Sequence, residues 1–205
     1  MLLKTLKIVA VAICATTASI SATLADEAAE TFVSGVLVDA DPILNAQSTE
    51  DLRSGLAMLV DQYVDMRRVG LFTLGQYARQ MTPEQRAEYM PLFKQYATLV
   101  YQKSLSNYSG QRLEVTGSID RSSRDIIVNS RIKDPAPGDP FANANIQWRV
   151  YRAKDGSHAI VDAGANNIWL AIEQRSQFTS VVANNGGGAS GVDVLISQLR
   201  NQIGE

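Results

Sequence analysis

Apolar residues recur every three to four positions through the first half of the chain, beginning with residues 48–63. The repeating apolar positions there are Leu52, Leu56, Leu59, Val60 and Tyr63. This spacing places them on one face of an α-helix. Ser48 stands where a capping oxygen is needed, and Glu50 and Asp51 place negative charge at the positive end of the helix dipole. The pattern predicts a helix with one buried face.

Two further helices are predicted, one over residues 66–79 and one from residue 83 to about residue 107. The apolar side of the first consists of Leu71, Leu74, Tyr77 and Ala78, with Phe72 beside it. Thr82, Pro83 and Gln85 suit the N-cap, the first helical position and the capping-box partner of the second. Its apolar face consists of Tyr89, Met90, Leu92, Phe93, Tyr96, Ala97, Leu99, Val100 and Tyr101. That arc spans about 200°, whereas covering one core needs little more than ~100°, so we expect more than one neighbour.

The period of the apolar pattern changes to two after Gly110. Four segments alternate and are rich in β-branched or aromatic residues: "RLEVTGSI", "DIIVNSRI", "ANIQWRVYRA" and "HAIVDAG". Such segments are typical of strands. The short links "RSSR" and "AKDGS" suit hairpin turns, whereas "KDPAPGDP" is a proline-rich loop. Alternation places Ile146, Trp148 and Val150 on one face of their strand.

A fifth strand, a helix, a joint and a closing helix complete the predicted order of elements. The strand is "NIWLAI", the helix covers residues 173–183, the flexible joint is "NNGGGASG" and the closing helix covers residues 192–203. Sequential strands with short links form antiparallel sheets. The sequence therefore predicts an α+β fold, in which helices wrap a curved antiparallel sheet.

The first 25 residues have the pattern of a secretory signal rather than of a folded domain. Lys4 and Lys7 precede a short apolar run, and "SATLA" follows it and ends at Ala25. A basic start, an apolar middle and a small-residue cleavage site define such signals. The apolar run is shorter than the roughly 20 residues that span a bilayer. We therefore expect cleavage after residue 25 and a single domain over residues 26–205.

Composition and charge exclude several classes of partner. The chain's one cysteine, Cys14, lies in the predicted signal, so the mature domain should fold without disulfides. Lys4 and Lys7 account for two of the 19 basic residues, and the remaining 17 against 21 acidic residues give a formal charge of −4. A mildly acidic domain without a basic run is a poor binder of nucleic acid.

Few side chains suit catalysis or metal binding. His158 is the one histidine, and Ser157 and Asp162 lie on the same predicted strand and turn. A catalytic triad needs groups from different elements, so we expect His158 to face solvent. One histidine and no mature cysteine leave no zinc or copper ligand set. "VDADP" at 38–42 is interpreted as a turn, and glycines 186–188 as a hinge. We predict no enzyme activity, no metal and no cofactor.

The order of several segments resembles the MlaC family, also called toluene-tolerance auxiliary components. The resemblance rests on "LGQY" followed by "TPEQR", on "LFKQYATLVYQKSLSNY", on "IQWRVYR", and on "QRSQF" ahead of a glycine-rich joint and "LISQL". It covers most of residues 48–202. Together these segments are specific, whereas each alone is weak.

The resemblance implies a fold and a function. Members are periplasmic phospholipid-binding proteins of Gram-negative bacteria. They carry lipid between an outer-membrane lipoprotein–porin complex and an inner-membrane ABC transporter with an MCE protein, which maintains outer-membrane lipid asymmetry. The implied fold is an NTF2-like cone with a hydrophobic cavity that holds the acyl chains between sheet and helices. The phospholipid is the ligand.

Inward periodicity together with that architecture gives a predicted set of lipid-binding residues. They are Phe72, Leu74, Tyr77, Phe93, Val100, Tyr101, Leu105, Trp148, Val150, Ile160, Ile168 and Leu170. Two alternatives stay open on the sequence alone. One is an NTF2-like enzyme that acts on an apolar substrate and uses Asp162 or His158. The other is a ligand-free structural adaptor with a solid core.

Overall fold

A computed structural model describes residues 26–104, 111–139 and 141–204, with the backbone alone at residues 101–104. The predicted signal at 1–25 and Leu105 lie outside these residues, as does the side chain of Tyr101. The helices are α1 (Glu27–Leu44), α2 (Thr49–Tyr63), α3 (Met66–Thr73), a 3-10 helix (Gly75–Arg79), α4 (Pro83–Ser104), α5 (Leu170–Asn184) and α6 (Gly188–Ile203). None of the described helices is long and apolar enough to cross a membrane.

The strands form one antiparallel sheet whose spatial order follows the chain. They are β1 (Arg112–Ser122), β2 (Asp125–Lys133), β3 (Ile146–Arg152), β4 (His158–Ala165) and β5 (Ile168–Trp169). Ile126 pairs with Val150, and Val128 pairs with Trp148. Paired residues share a face of the sheet, so the predicted common face of β3 is confirmed. The α+β prediction is confirmed, with a curved sheet that does not close on itself.

Both predicted helix caps are present. The Ser48 hydroxyl accepts the backbone N–H of Asp51 at 3.0 Å at the start of α2. At the start of α4, the Gln85 backbone N–H donates to Thr82 Oγ1 at 3.2 Å, and the Thr82 backbone N–H donates to Gln85 Oε1 at 3.0 Å. This reciprocal pair is a capping box, which satisfies amides that have no partner within the helix.

Helix α1 corrects the interpretation of "VDADP" as a turn, because residues 38–42 lie inside it. Ala29, Val33, Val36 and Ala40 are its buried residues, at the three- and four-residue spacing of a helix. The Asp26 side chain caps its first turn by accepting the Ala29 N–H at 3.1 Å. Pro42 lies in the last turn, where the loss of one amide donor breaks only the final part of the helix.

Two other predicted elements are shorter than the sequence pattern suggests. The helix predicted over 66–79 ends at Thr73, and a 3-10 helix follows because Gly75 has a positive φ of 56°, which an α-helix cannot continue. The strand predicted over 167–172 pairs only at Ile168–Trp169, and α5 begins at Leu170. The glycine-rich joint is also short, since α6 already begins at Gly188.

Candidate functional site

The apolar interior of the described residues is divided into two clusters rather than one. The helix-side cluster is built from α3 to α6 and consists of Val69, Leu74, Tyr77, Met81, Tyr89, Leu92, Phe93, Ala97, Ala171, Phe178, Val182, Val192, Leu195, Ile196 and Leu199. The sheet-side cluster joins α1 to β2 and β3 and consists of Ala29, Val33, Ile126, Val128 and Val150. A domain of this size usually has one contiguous core with smaller satellite clusters. Here the smaller cluster joins a helix to two strands of the sheet.

Aromatic rings from α4 and α5 form the centre of the helix-side cluster. Phe93 stacks on Tyr89 with ring centroids 5.7 Å apart, and Phe178 meets Phe93 edge-on at 6.2 Å. The Tyr89 hydroxyl is buried and lies 2.9 Å from Thr73 Oγ1, which donates to the Gly70 carbonyl. Burial raises the pKa of Tyr89, so the phenol stays neutral and acts here as a packing and hydrogen-bonding group.

A third part of the apolar interior, the seam, lies between the two clusters. Six buried apolar side chains of the described residues belong to neither cluster and define it: Val36, Ala40, Leu56, Val60, Ile132 and Ile160. Helix α2 contacts α1, α4 and β4. Leu56 and Val60 therefore lie where the helix-side and sheet-side halves of the molecule approach each other.

Few polar contacts tie the two halves together at α2. Val64 and Ile160 form an isolated parallel bridge, and the Asp65 N–H donates to the Ile160 carbonyl at 3.0 Å. The exposed Tyr63 hydroxyl at the end of α2 donates to the Asp39 carboxylate of α1. On the outside, Lys94 of α4 pairs with Asp61 of α2, but both side chains are substantially exposed. Exposed pairs contribute little, typically less than about 1 kcal/mol. The seam is therefore held mainly by apolar contact, which a hydrocarbon chain can replace.

The predicted lipid-binding residues fall on both sides of the seam. Leu74, Tyr77 and Phe93 belong to the helix-side cluster, and the half-buried Phe72 packs against it. Val150 belongs to the sheet-side cluster, and the half-buried Trp148 packs against it. Ile160 is at the seam, and Val100 is half-buried on α4. Whether these residues contact lipid stays a prediction.

Ile168 and Leu170 do not face the interior that the sequence assigned to them. Ile168 is 63% exposed and Leu170 is 37% exposed. The reason is the early end of the fifth strand: alternation holds only for Ile168 and Trp169, and the helix that follows turns its side chains through 100° per residue. Together with Ile172, they form an exposed apolar corner at the edge of the sheet.

Trp148 has a polar anchor that alternation alone does not reveal. Its indole Nε1–H donates to the Ser130 hydroxyl at 3.0 Å, and Ser130 is fully buried on the neighbouring strand. Ser130 in turn donates to the Ile146 carbonyl at 3.2 Å. The polar end of the ring is thus satisfied within the sheet, and the ring itself borders the sheet-side cluster.

Two open clefts lie at the surface. One, of about 330 Å³, lies between the end of α2 and the β3–β4 hairpin and includes Tyr63, Tyr151 and His158. The other, of about 450 Å³, lies between α3, the 3-10 helix and the start of α4, and it is lined by arginines together with Leu71 and Phe72. Of the predicted lipid-binding residues whose side chains the structure describes, only Phe72 lines either of these two clefts.

His158 is half-buried, which corrects the expectation that it faces solvent. Its ring stacks on Phe32 of α1 with centroids 5.8 Å apart, and α1 was absent from the predicted elements. Burial, followed by the neighbouring charge of Arg152, lowers the pKa of His158 below its usual range. The imidazole is therefore neutral at pH 7 and packs as an aromatic ring.

Asp162 is buried and serves the start of α5. Its Oδ1 accepts the N–H of Ala171 at 2.8 Å and that of Ala163 at 2.9 Å. Burial raises the pKa of Asp162 despite these two bonds. Four residues separate it from His158 along β4, which corresponds to about 13 Å. The two groups therefore do not converge as an acid–base pair, and Asp162 lines neither cleft.

Three of the segments that carried the resemblance, "LGQY", "TPEQR" and "QRSQF", have contacts at the 3-10 helix. A Cβ at Gly75 of "LGQY" would lie 3.1 Å from Arg175 Nε of "QRSQF". Gln85 of "TPEQR" donates to the Ala189 carbonyl at 2.8 Å and to Asp193 at 2.6 Å, both on α6. Among the described residues, no group of three or more His, Cys, Asp or Glu is placed to hold a metal ion.

The fold and the divided interior define a small α+β protein with an apolar seam between a curved sheet and a layer of helices. A family model described as "MlaC protein" matches residues 37–201. The chain therefore belongs to the MlaC family, and the resemblance drawn from its segments is confirmed. Helix α1 extends ahead of the segments that suggested the family, and only its C-terminal part falls within the match.

A solved structure supports the fold assignment. It is described as the phospholipid-binding protein from Ralstonia solanacearum in complex with a phospholipid. It shares 24% identity with this chain, covers 86% of this chain and 97% of its own, and superposes with a TM-score of 0.68. At this identity the comparison establishes a common fold, and the ligand is that of the other protein.

Proposed function

We propose that this chain is a phospholipid-binding protein and that the acyl chains of its ligand occupy the seam between the two apolar clusters. The divided interior is the observation that carries the proposal. A protein stabilised only by its own side chains gains from joining all its buried apolar surface in one core. Here the sheet-side and helix-side clusters are separate, and the six seam residues belong to neither. Hydrocarbon inserted between them would join the two.

Membership of the MlaC family supports this proposal, as does the common fold with a protein described as being in complex with a phospholipid. The Trp148 ring, anchored at its polar end by Ser130, offers a rigid apolar surface beside the sheet-side cluster. On the opposite side, the broad apolar arc of α4 includes the half-buried Tyr96, Leu99 and Val100. A ligand between these surfaces needs no charged partner.

The energetics of such a site favour a carrier. Each methylene group removed from water contributes about 0.8 kcal/mol, and two acyl tails hold about thirty, so the gross gain is roughly 24 kcal/mol. Leaving a bilayer costs a similar amount, so the net free energy of transfer between a membrane and the seam is close to zero. Small differences in affinity among donor, carrier and acceptor then set the direction of transfer.

The finer assignment follows from the family and from the N-terminal residues. We propose that the chain acts in the periplasm after cleavage of residues 1–25. There it carries phospholipid between an outer-membrane lipoprotein–porin complex and an inner-membrane ABC transporter with an MCE protein, and so maintains outer-membrane lipid asymmetry. Such a carrier binds and releases its cargo without catalysis.

A substitution at Trp148 tests the seam as the lipid site. Trp148→Glu places a charge beside the sheet-side cluster, where an acyl chain cannot solvate it, so phospholipid should no longer co-purify. The measurement is native mass spectrometry of the protein released gently from the periplasm. The wild type should carry a mass increment of one phospholipid, and the variant should carry at most about a tenth as much, since one unsolvated charge costs more than ~1.4 kcal/mol.

Val38→Glu is the matched control, because Val38 is apolar but 70% exposed on α1. It should retain the lipid of the wild type. Circular dichroism and melting separate loss of ligand from loss of fold, and Val100→Glu on α4 provides a second variant should Trp148→Glu fail to fold. Normal lipid loading in folded Trp148→Glu would exclude the seam, and lipid-free wild-type protein would exclude phospholipid binding altogether.

A further inference from the structure

Five arginines surround the larger of the two clefts, which is called the arginine groove below. Arg67, Arg68, Arg79 and Arg86 line it, and Arg175 reaches its edge from α5. Among the described residues that line it, Asp65 is the one acidic residue and there is no lysine. Five arginines against one aspartate give the groove a formal charge of +4, whereas the chain as a whole has a formal charge of −2. So strong a local excess of charge is a feature of recognition rather than of solubility.

Three of the five guanidinium groups are held in place by the protein. Arg86 donates to the Ala78 carbonyl at 2.8 Å. Arg68 lies 3.7 Å above the centre of the Tyr151 ring and bonds Asp65 at 3.2 Å. Arg175 lies 4.9 Å above the centre of the Phe72 ring. Stacking and hydrogen bonding fix the direction of these planar donors, which reduces the entropy lost when an anion binds.

The remaining two arginines are available to a ligand. Arg67 and Arg79 are exposed and form no ion pair with any residue that the structure describes. They belong to different elements, since Arg67 is on α3 and Arg79 ends the 3-10 helix. Leu71, Phe72 and Ala78 supply the apolar part of the lining. Cations in an apolar cleft match a segment that alternates carboxylates with apolar side chains.

We propose that the arginine groove is a docking site for an acidic segment of a partner protein. Carboxylates of the segment pair with Arg67 and Arg79, and its apolar side chains pack on Leu71 and Phe72. The groove contains none of the six residues that define the seam, although Phe72, a predicted lipid-binding residue, lines it. The docking proposal stands whether or not the seam holds phospholipid.

The observations favour a protein partner over an anionic membrane. The arginines line a concave cleft, whereas a lipid surface is met by a flat or protruding face. None of the exposed large apolar residues of the described chain lines the groove, so nothing beside it would insert into a bilayer. The composition agrees, because protein interfaces are enriched in arginine and depleted in lysine. Away from the groove the chain is acidic, which opposes attraction to a negatively charged membrane.

The test uses two short fluorescent peptides with the same leucine and phenylalanine positions, one with glutamate and the other with lysine between them. Binding to the full domain is followed by fluorescence anisotropy at rising salt. The glutamate peptide should bind, with affinity that falls as salt rises, and the lysine peptide should not. The double variant Arg67→Glu/Arg79→Glu should bind the glutamate peptide at least about tenfold more weakly than the wild type, which corresponds to ~1.4 kcal/mol of binding free energy.

Arg53→Glu/Arg124→Glu is the matched control, because both arginines are exposed, lie outside the groove and change the net charge equally. It should bind the glutamate peptide within about twofold of the wild type. Equal weakening by the two double variants would overturn the proposal, as would the absence of peptide binding. Groove-dependent binding to phosphatidylglycerol vesicles without peptide binding would overturn it in favour of a membrane surface.

Discussion

At the scale of single residues, Asp162 shows how this fold uses a buried carboxylate. It is 6% exposed, and its Oδ1 holds two backbone amides at the point where β4 gives way to α5. Its second oxygen, Oδ2, has no hydrogen-bond partner among the described residues. An isolated buried charge is costly, which is why burial raises the pKa of Asp162.

The raised pKa predicts a stability difference that depends on pH. Because the folded state keeps the Asp162 proton to higher pH than the unfolded state, this residue's contribution to stability is largest at low pH and falls as pH rises above its unfolded value of about 3.9. Asp162→Asn keeps the Oδ1 acceptor and cannot ionise. The melting temperature of the variant relative to the wild type should therefore increase from pH 4 to pH 7.

Asp155→Asn is the control, because its effect on stability should depend on pH in the opposite direction. Hydrogen bonds from the Ser157 hydroxyl and amide lower the pKa of Asp155, so its contribution is present above the unfolded value and is lost as pH falls. That variant should be the less stable form at pH 7, and the difference should shrink toward acid. If the melting temperatures of Asp162→Asn and the wild type differ by the same amount at every pH, burial does not raise the pKa of Asp162 as proposed.

Sequence patterns predict hydrogen bonds within one helical turn, but not those between residues that are distant along the chain. The spacing of Thr82 and Gln85 predicts their capping box, because both partners lie within one helical turn. The bonds from Trp148 to Ser130 and from Tyr89 to Thr73 join residues that are distant along the chain. No local pattern contains such pairs, since they exist only once strands and helices have packed.

At the scale of elements, the close approach of α5 and α6 depends on one glycine. A Cβ at Gly191 would lie 2.3 Å from the Val182 carbonyl oxygen and 2.9 Å from its Cγ1. The first of these is a backbone atom, so the contact cannot be relieved by a rotamer change, and the two helices would have to separate. Val182 and Val192 are both fully buried in the helix-side cluster.

Gly191→Ala should therefore destabilise the protein, by about 1–3 kcal/mol for an overpacked position. Gly35→Ala is the matched control, since Gly35 lies in α1 and a Cβ added there would have no neighbour within 4 Å, so alanine should stabilise by about 0.5–1 kcal/mol. Urea denaturation measures both changes. A Gly191→Ala protein as stable as the wild type would show that α5 and α6 are not packed this closely.

The sequence predicts elements whose apolar residues recur at regular spacing. It does not predict elements whose bounds depend on contacts with other parts of the chain. Helix α2, helix α4 and the four longer strands follow directly from apolar spacing. Helix α1 was missed because Asp39, Asp41 and Pro42 give residues 38–42 the composition of a turn, whereas its buried face packs on the sheet. The fifth strand was overestimated because it lies at the edge of the sheet, where only two residues pair.

At the scale of the whole molecule, the two apolar clusters and the arginine groove divide the protein into parts with different roles. The seam between the clusters is apolar and suits a ligand of hydrocarbon. The groove lies at the surface between α3, the 3-10 helix and the start of α4, and it suits carboxylates. The carrier function proposed above requires both kinds of surface, one to hold lipid away from water and one to be recognised by partner proteins.

The apolar excess was evident from the sequence, but its division was not. Periodicity shows that Phe93 and Trp148 face inward, and it cannot show that they belong to different clusters. The arginine groove was hidden for a similar reason. Its members come from three separate stretches, around residues 67, 79–86 and 175, in a chain whose net charge is negative.

Cross-linking from within the ligand shows which residues contact the acyl chains. The measurement uses a phospholipid with a photoactivatable diazirine midway along one acyl chain, loaded into the full domain, irradiated and mapped by peptide mass spectrometry. The account predicts adducts on α2 around Leu56 and Val60 and on β3 around Trp148, on both sides of the seam. Adducts confined to exposed apolar residues such as Val38 and Met58, with none at the seam, would contradict it.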